Sequence, residues 1–344
     1  MRGIDSDCID LIYLDPPFNT NRNYKAPIGS PAEGAEFNDI WTDEELIKFQ
    51  KEWHGEIAET HEDLYQIIQA TGAIYGKSMS IYLMAMAVRL FEMHRILKPT
   101  GSIYLHCDPT ASHYLKIVLD SLFGKENFRN EIVWSYRTGG VSKNYFPRKH
   151  DILMFYVKSS DYVHTPLQER IYYEKPFFTE KIDEQGKYYA DVYIRDVWDD
   201  IKPLINMSKE RTGYPTQKPI DLIDRIIEAS SNEGDLVLDP FCGCATACVS
   251  AEQLQRQWIG IDISPSAEDI TKLRLEEASA QGKLFSPITM SDITISNTPP
   301  SELLTNRKLL SKDNYRLRKN IKMNFMVGKR DIVTFVNFTF GFGT

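Results

Sequence analysis

The sequence predicts an α/β fold, a doubly wound and mostly parallel sheet carrying one inserted segment. Three observations support this. Short apolar runs of strand length recur at 8–14, 102–107, 235–239 and 259–262, the pattern of strands buried on both faces. Helix-period stretches at 79–97, 112–123, 220–230 and 246–255 alternate with them, which places helices over both faces of the sheet. Two of the strands run into an acid and a sharp turn, Asp15-Pro16-Pro17-Phe18 and Asp239-Pro240-Phe241-Cys242-Gly243, where open α/β sheets gather ligands.

Taken in order, the first strand ends before Asp15, because Pro16 and Pro17 cannot extend a hydrogen-bonded ladder. Residues 21–34, rich in Asn, Pro and Gly, read as a loop beside that turn. An acidic amphipathic helical stretch is expected over 39–69, with Trp41 and Trp53 as packing anchors. The helix over 79–97 presents Leu83, Met86, Ala87, Leu90 and Met93 at helical spacing, and Pro99 with Gly101 stops it. Residues 130–136 and 151–158 read as an antiparallel pair at the sheet edge. Between them lies a loop with Arg137, Lys143, Arg148 and Lys149 around Tyr145 and Phe146. Such a mixture suits contact with phosphates and a displaced base, although a plain solvated loop has the same composition. Residues 159–211 lose the alternation and read as an inserted module.

Composition bounds the function. With 344 residues, 42% of them hydrophobic and 26% charged, the chain can bury a full core. It shows neither a run of about eighteen apolar residues nor a basic-then-apolar leader, so no membrane association and a cytoplasmic location are expected. Five cysteines make an odd count, and the three at 242, 244 and 248 lack both a nearby histidine and zinc-knuckle spacing. Neither a disulfide framework nor a metal site is expected. The formal charge of −8 argues against indiscriminate nucleic-acid binding but leaves room for a local basic groove.

The first turn offers a carboxylate at Asp15, proline carbonyls without competing N–H groups and a flat ring at Phe18. Two acceptors and a stacking face suit an exocyclic amine on a heterocycle. The stretch resembles motif IV of the amino-methyltransferases that modify adenine N6 or cytosine N4 in DNA. In the second turn, small residues at Gly243 and Ala245 allow close backbone approach ahead of a helix N-terminus, and Asp262 ends the next strand as an acceptor for ribose hydroxyls. No Gly-x-Gly-x-x-Gly is present. Residues 235–248 closely resemble motif I of S-adenosylmethionine-dependent DNA methyltransferases, and Gly213-Tyr-Pro-Thr-Gln-Lys-Pro219 resembles their motif X.

The order, motif IV first and motifs X and I last, is that of the β-class. The resemblance covers residues 1–283 and implies a Rossmann-like class I methyltransferase fold with a seven-stranded-type sheet, with catalytic domain 1–158 plus 212–290 and target recognition segment 159–211. It implies catalysis by Asp15, Pro16, Pro17 and Phe18. S-adenosylmethionine would be held by Thr216, Lys218, Asp239, Pro240, Phe241, Cys242, Gly243, Ala245 and Asp262, with Thr216 and Lys218 on the methionine carboxylate. Arg137, Lys143, Arg148 and Lys149 would contact DNA. Asp at the head of the first turn favours adenine over cytosine, in a restriction-modification setting. The implied partners are double-stranded DNA, a cognate restriction nuclease and a second copy of the chain.

Two departures from the family pattern bear on this. The Gly-Asp segment that usually precedes the first strand is absent before Met1, so the chain reads as truncated there. Residues 291–344 read as a basic tail or, if a frame change intervened, as the remnant of a fused nuclease module. A truncated remnant that binds DNA without catalysis, and a cytosine-N4 enzyme, are the alternative readings.

Overall fold

Strand β1 (Ile9–Leu14) lies at the centre of the molecule, and its side chains alternate between two apolar layers. The computed structural model describes residues 1, 4–20, 22–39, 60–138, 141–176, 181–262 and 264–281, together with the backbone of three further strands toward the C-terminus. After β1 come β2 (Asn23–Lys25), β3 (Glu36–Asn38), α1 (Glu62–Tyr75), α2 (Lys77–Ile96), β4 (Leu97–Cys107), α3 (Ser112–Phe123), β5 (Phe128–Ser135) and β6 (His150–Val157). Next come β7 (Gln168–Tyr173), β8 (Tyr188–Tyr193) and β9 (Val197–Trp198). Then follow α4 (Ile220–Ser230), β10 (Leu236–Asp239), α5 (Thr246–Gln253), β11 (Gln257–Asp262), α6 (Pro265–Ala280), β12 (Ile293–Ser296), β13 (Lys319–Lys329) and β14 (Ile332–Gly341).

The main sheet has the order β12-β14-β13-β11-β10-β1-β4-β6-β5-β9. Its centre, β11-β10-β1-β4, is parallel throughout, and β6 then turns antiparallel against β4 and β5. Ile12 and Leu14 face a layer that includes Leu90 and Met93 of α2 and Leu115 and Leu119 of α3. Leu11 and Tyr13 face the opposite layer with Ile223 and Ile227 of α4 and Val249 of α5. Helices therefore cover both faces, as the near-continuous apolar strands require.

Helix α2 runs directly into β4, with Pro99 and Gly101 inside the strand rather than beyond the helix as stoppers. The pairing of β1 with β4 is irregular here, jumping from Ile9↔Leu97 to Leu11↔Ser102. Glycine is required at the jump, since a Cβ on Gly101 would lie 2.6 Å from Leu97 and 2.9 Å from the Asp10 carbonyl. Of the helical stretch expected at 39–69, only its end is seen within α1, and Trp41 and Trp53 lie outside the described residues.

Two regions extend the expected sheet at its edges, to ten strands in all. Residues 159–211 form a separate β7–β8 hairpin but return β9 to pair in parallel with β5. The Trp134 indole donates to the Ile201 carbonyl at 2.8 Å and Arg225 of α4 pairs with Asp200, which anchors that return. At the other edge, residues expected to form a basic tail include two long strands. β13 pairs antiparallel with β11 from Trp258↔Gly328 to Asp262↔Asn324, and β14 pairs with β13. An open edge on β11 favours such pairing.

Candidate active site at the strand tips

The parallel register brings the carboxyl ends of β1, β10 and β11 to one rim of the sheet. Asp15 follows the last residue of β1, while Asp239 and Asp262 are the last residues of β10 and β11. The two turns singled out in the sequence thus stand on adjacent strands.

The Asp15 turn is held from three directions. The Asp39 carboxylate, itself buried, accepts from the Asn19 N–H at 2.8 Å and from the Thr20 N–H and hydroxyl, each at 2.7 Å. Asn19 adopts a left-handed backbone at φ 59° and accepts from the Ser78 hydroxyl at 2.8 Å through its side chain. Below, Phe18 stacks on the His106 imidazole, with centroids 6.1 Å apart and planes 26° apart. His106 is fully buried and bridges strands, Nδ1 to the Tyr13 hydroxyl at 3.0 Å and Nε2 to Asp151 at 3.3 Å. Asp151 also accepts from the Tyr136 hydroxyl at 3.3 Å. Burial would raise the Asp151 carboxyl, but the His106 hydrogen bond and charge, the Lys218 charge and the Tyr136 hydroxyl hold it below the ordinary carboxylate range.

Asp15 itself is divided between its oxygens. Oδ2 accepts from Lys218 Nζ at 2.5 Å in a largely buried pair, and Oδ1 is buried with no hydrogen-bond partner among the described residues. Lys218 was expected on the methionine carboxylate. In this structure its ammonium meets Asp15 and lies 5.3 Å from the Phe18 centroid.

The second turn is built on close backbone contact. Gly243 has φ 49°, and a Cβ there would meet the Tyr214 ring at 2.9 Å, so only glycine lets residues 213–219 seat on the turn. Ala245 is left-handed at φ 57° and leads into α5, and Thr216 is left-handed at φ 61°. Asp239 is buried and accepts from the Phe241 N–H at 3.0 Å. Burial pushes its carboxyl well up, the Phe241 hydrogen bond opposes this, and the charges of Asp15 and Asp262 push it further. Asp262, expected to face a ribose, accepts from the N–H groups of Gly243 at 2.8 Å and Ser264 at 2.7 Å. Arg274 of α6, also buried, donates to the Cys244 carbonyl at 2.7 Å and the Thr246 hydroxyl at 2.8 Å. The cysteines at 242, 244 and 248 are buried in this packing, and no metal-binding group of side chains occurs among the described residues.

Asp39, His106, Asp151 and Arg274 were not found by sequence reasoning. Each acts from a distant element, so no local pattern marks it. The basic loop lies at the same rim, because Ser135 pairs with His150 and Ile152 with Cys107. Lys149 closes its base by donating to the carbonyls of Arg137 at 3.2 Å and Thr138 at 3.0 Å, while Arg148 lies 5.8 Å from the Tyr145 centroid. Lys143 sits on the exposed part of this loop.

A family profile described as DNA methylase matches residues 9–273, from the start of β1 into α6. The chain belongs to the DNA methylase family. Among its relatives are the type II methyltransferase M.HpaI of Haemophilus parainfluenzae, 29% identical over 80% of this chain and 71% of that protein, and the type II methyltransferase M.BamHI of Bacillus amyloliquefaciens, 27% identical over 83% and 57%. The DNA adenine methyltransferase YhdJ of Escherichia coli strain K12 is 27% identical over 81% and 80%. This methylase thus spans between 57% and 80% of the length of these relatives. S-adenosylmethionine is the cofactor of such a methylase, and the donor set at the strand tips fits it: Asp15, Asp239 and Asp262 stand at one rim on three adjacent parallel strands, where carboxyl groups suit a donor bearing a sulfonium and an ammonium. No helix among the described residues is long and apolar enough to cross a membrane.

Proposed function

We propose that the methylase transfers a methyl group to the N6 amine of adenine, swung out of a specific DNA sequence, within a restriction-modification setting. The observation that carries this is Oδ1 of Asp15, a buried carboxylate oxygen without a partner among the described residues, just beyond the strand that neighbours β10 and its turn. An adenine amine has two N–H groups and a lone pair drawn into the ring. Asp15 Oδ1 would take one N–H and the Pro16 carbonyl the other as the nitrogen becomes tetrahedral, so the stabilisation grows toward the transition state. Lys218 fixes the second carboxylate oxygen and so sets the direction in which Oδ1 points. Extruding the base costs a few kcal/mol, and stacking on Phe18 recovers about 1–3 kcal/mol of it. Bound S-adenosylmethionine supplies an electrophilic methyl that needs no further activation. The rims of β1 and β10 then bring amine and donor into line.

Arg137, Lys143, Arg148 and Lys149 serve as phosphate contacts, and residues 159–211 read the sequence. A cognate restriction nuclease and a second copy of the chain belong to the same reading. The test is direct. Unmethylated DNA incubated with the protein and labelled donor should yield N6-methyladenine on nucleoside analysis, and single-molecule sequencing should map it to one motif. Methylcytosine in its place would move the assignment to cytosine N4. Asp15→Ala should keep donor binding while turnover falls by about a hundredfold or more.

A further inference from the structure

The loop between β5 and β6 combines two properties that an isolated protein surface rarely carries together. Residues 137–149 include four cations and no acid in a chain of net charge −8, and large apolar side chains stand outside the fold. Phe146 is 96% exposed, Val141 94% and Tyr145 64%. The loop is nevertheless built. Lys149 ties its base, and the Ser142 hydroxyl accepts from the N–H groups of Asn144 and Tyr145 at 3.3 Å each. Tyr136 at its root reaches Asp151 and, through His106, the ring of Phe18.

An exposed phenyl group on a cationic, acid-free loop has one occupant that satisfies both features, a stacked base step flanked by phosphates. Extruding a base from a duplex leaves a gap of about one aromatic ring that water fills poorly. We propose that Phe146, with Val141 of the same loop, is an apolar wedge that enters the duplex at the target site and fills the gap left by the extruded base. The proposal rests on the reading of a DNA base as substrate and adds a device for extruding it. Lys143 and Arg148 hold the phosphates on either side, and Phe146 lowers the cost of the open state without touching the reacting atoms.

The experiment uses two synthetic duplexes carrying the sequence mapped above. They differ only in whether the target base faces its partner or an abasic site. On the paired duplex Phe146→Ala should lose at least about tenfold in kcat/KM, whereas on the abasic duplex, where the opening is already made, it should stay within about threefold of wild type. Phe146→Leu, still apolar, should restore most of the loss. Lys143→Ala should weaken both duplexes alike and reduce the salt dependence of binding. Calorimetry with S-adenosylmethionine shows that each variant is folded. An equal loss on both duplexes, or none on the paired one, overturns the wedge. A wild-type protein inert on both overturns the methylation reading itself.

Discussion

At the scale of single residues, Lys218 decides between two arrangements of the same charges. Its sequence position suggested a cofactor contact, and its 2.5 Å approach to Asp15 makes it a partner of the acid proposed to hold the amine. Lys218→Met should therefore lower kcat by about tenfold, as expected for loss of a buried charge-assisted hydrogen bond, while calorimetry shows nearly unchanged donor affinity. A parallel loss of donor affinity would return Lys218 to the cofactor. Gly243 is equally specific. Gly243→Ala adds a methyl 2.9 Å from the Tyr214 ring at a left-handed φ, which should destabilise the fold by about 1–3 kcal/mol and raise the Kd for the donor, read by thermal melting and by calorimetry.

At the scale of elements, the contact between α4 and α5 carries a titrating group. Asp224 of α4 accepts from the Ser250 hydroxyl of α5, and burial raises its carboxyl to about 6, with the Ser250 bond opposing the rise. A carboxyl raised on folding stabilises the protonated fold. That contribution is complete below the ordinary value near 4 and lost as pH rises through 6. Asp224→Asn keeps an acceptor for Ser250 and removes the titration. Its melting temperature should exceed that of wild type at pH 8, with the gap closing as pH falls toward 4. A gap independent of pH would mean that Asp224 does not titrate in this range.

At the scale of the whole molecule, the C-terminal strands complete the sheet. β13 covers the outer edge of β11, the strand that ends in Asp262. A chain ending at residue 290 would bare that edge beside the Asp239 turn and invite pairing between molecules. It should aggregate more readily and melt at a lower temperature than the full chain, as light scattering and calorimetry would report. Unchanged solubility and melting would mean that the strands contribute nothing to the sheet. The molecule's charge has the same logic. Against a net charge of −8, residues 137–149 carry four of the chain's 40 lysines and arginines and no acid, so the proposed DNA contact lies at the rim that holds Asp15.

Much of the architecture follows from local sequence. Apolar runs bounded by proline and glycine mark the central strands, helical periodicity places α2 to α5, and the acids closing three strands share a rim because parallel strands point the same way. The site's two turns are visible for the same reason, since each is a contiguous stretch. What only the folded chain decides is which distant group meets which. Lys218 meets Asp15 across 203 residues of sequence, Asp39 and His106 support Phe18 and its neighbours from other elements, and residues 319–341 extend a sheet they do not resemble. These contacts depend on burial and register, which are properties of packing rather than of any one segment.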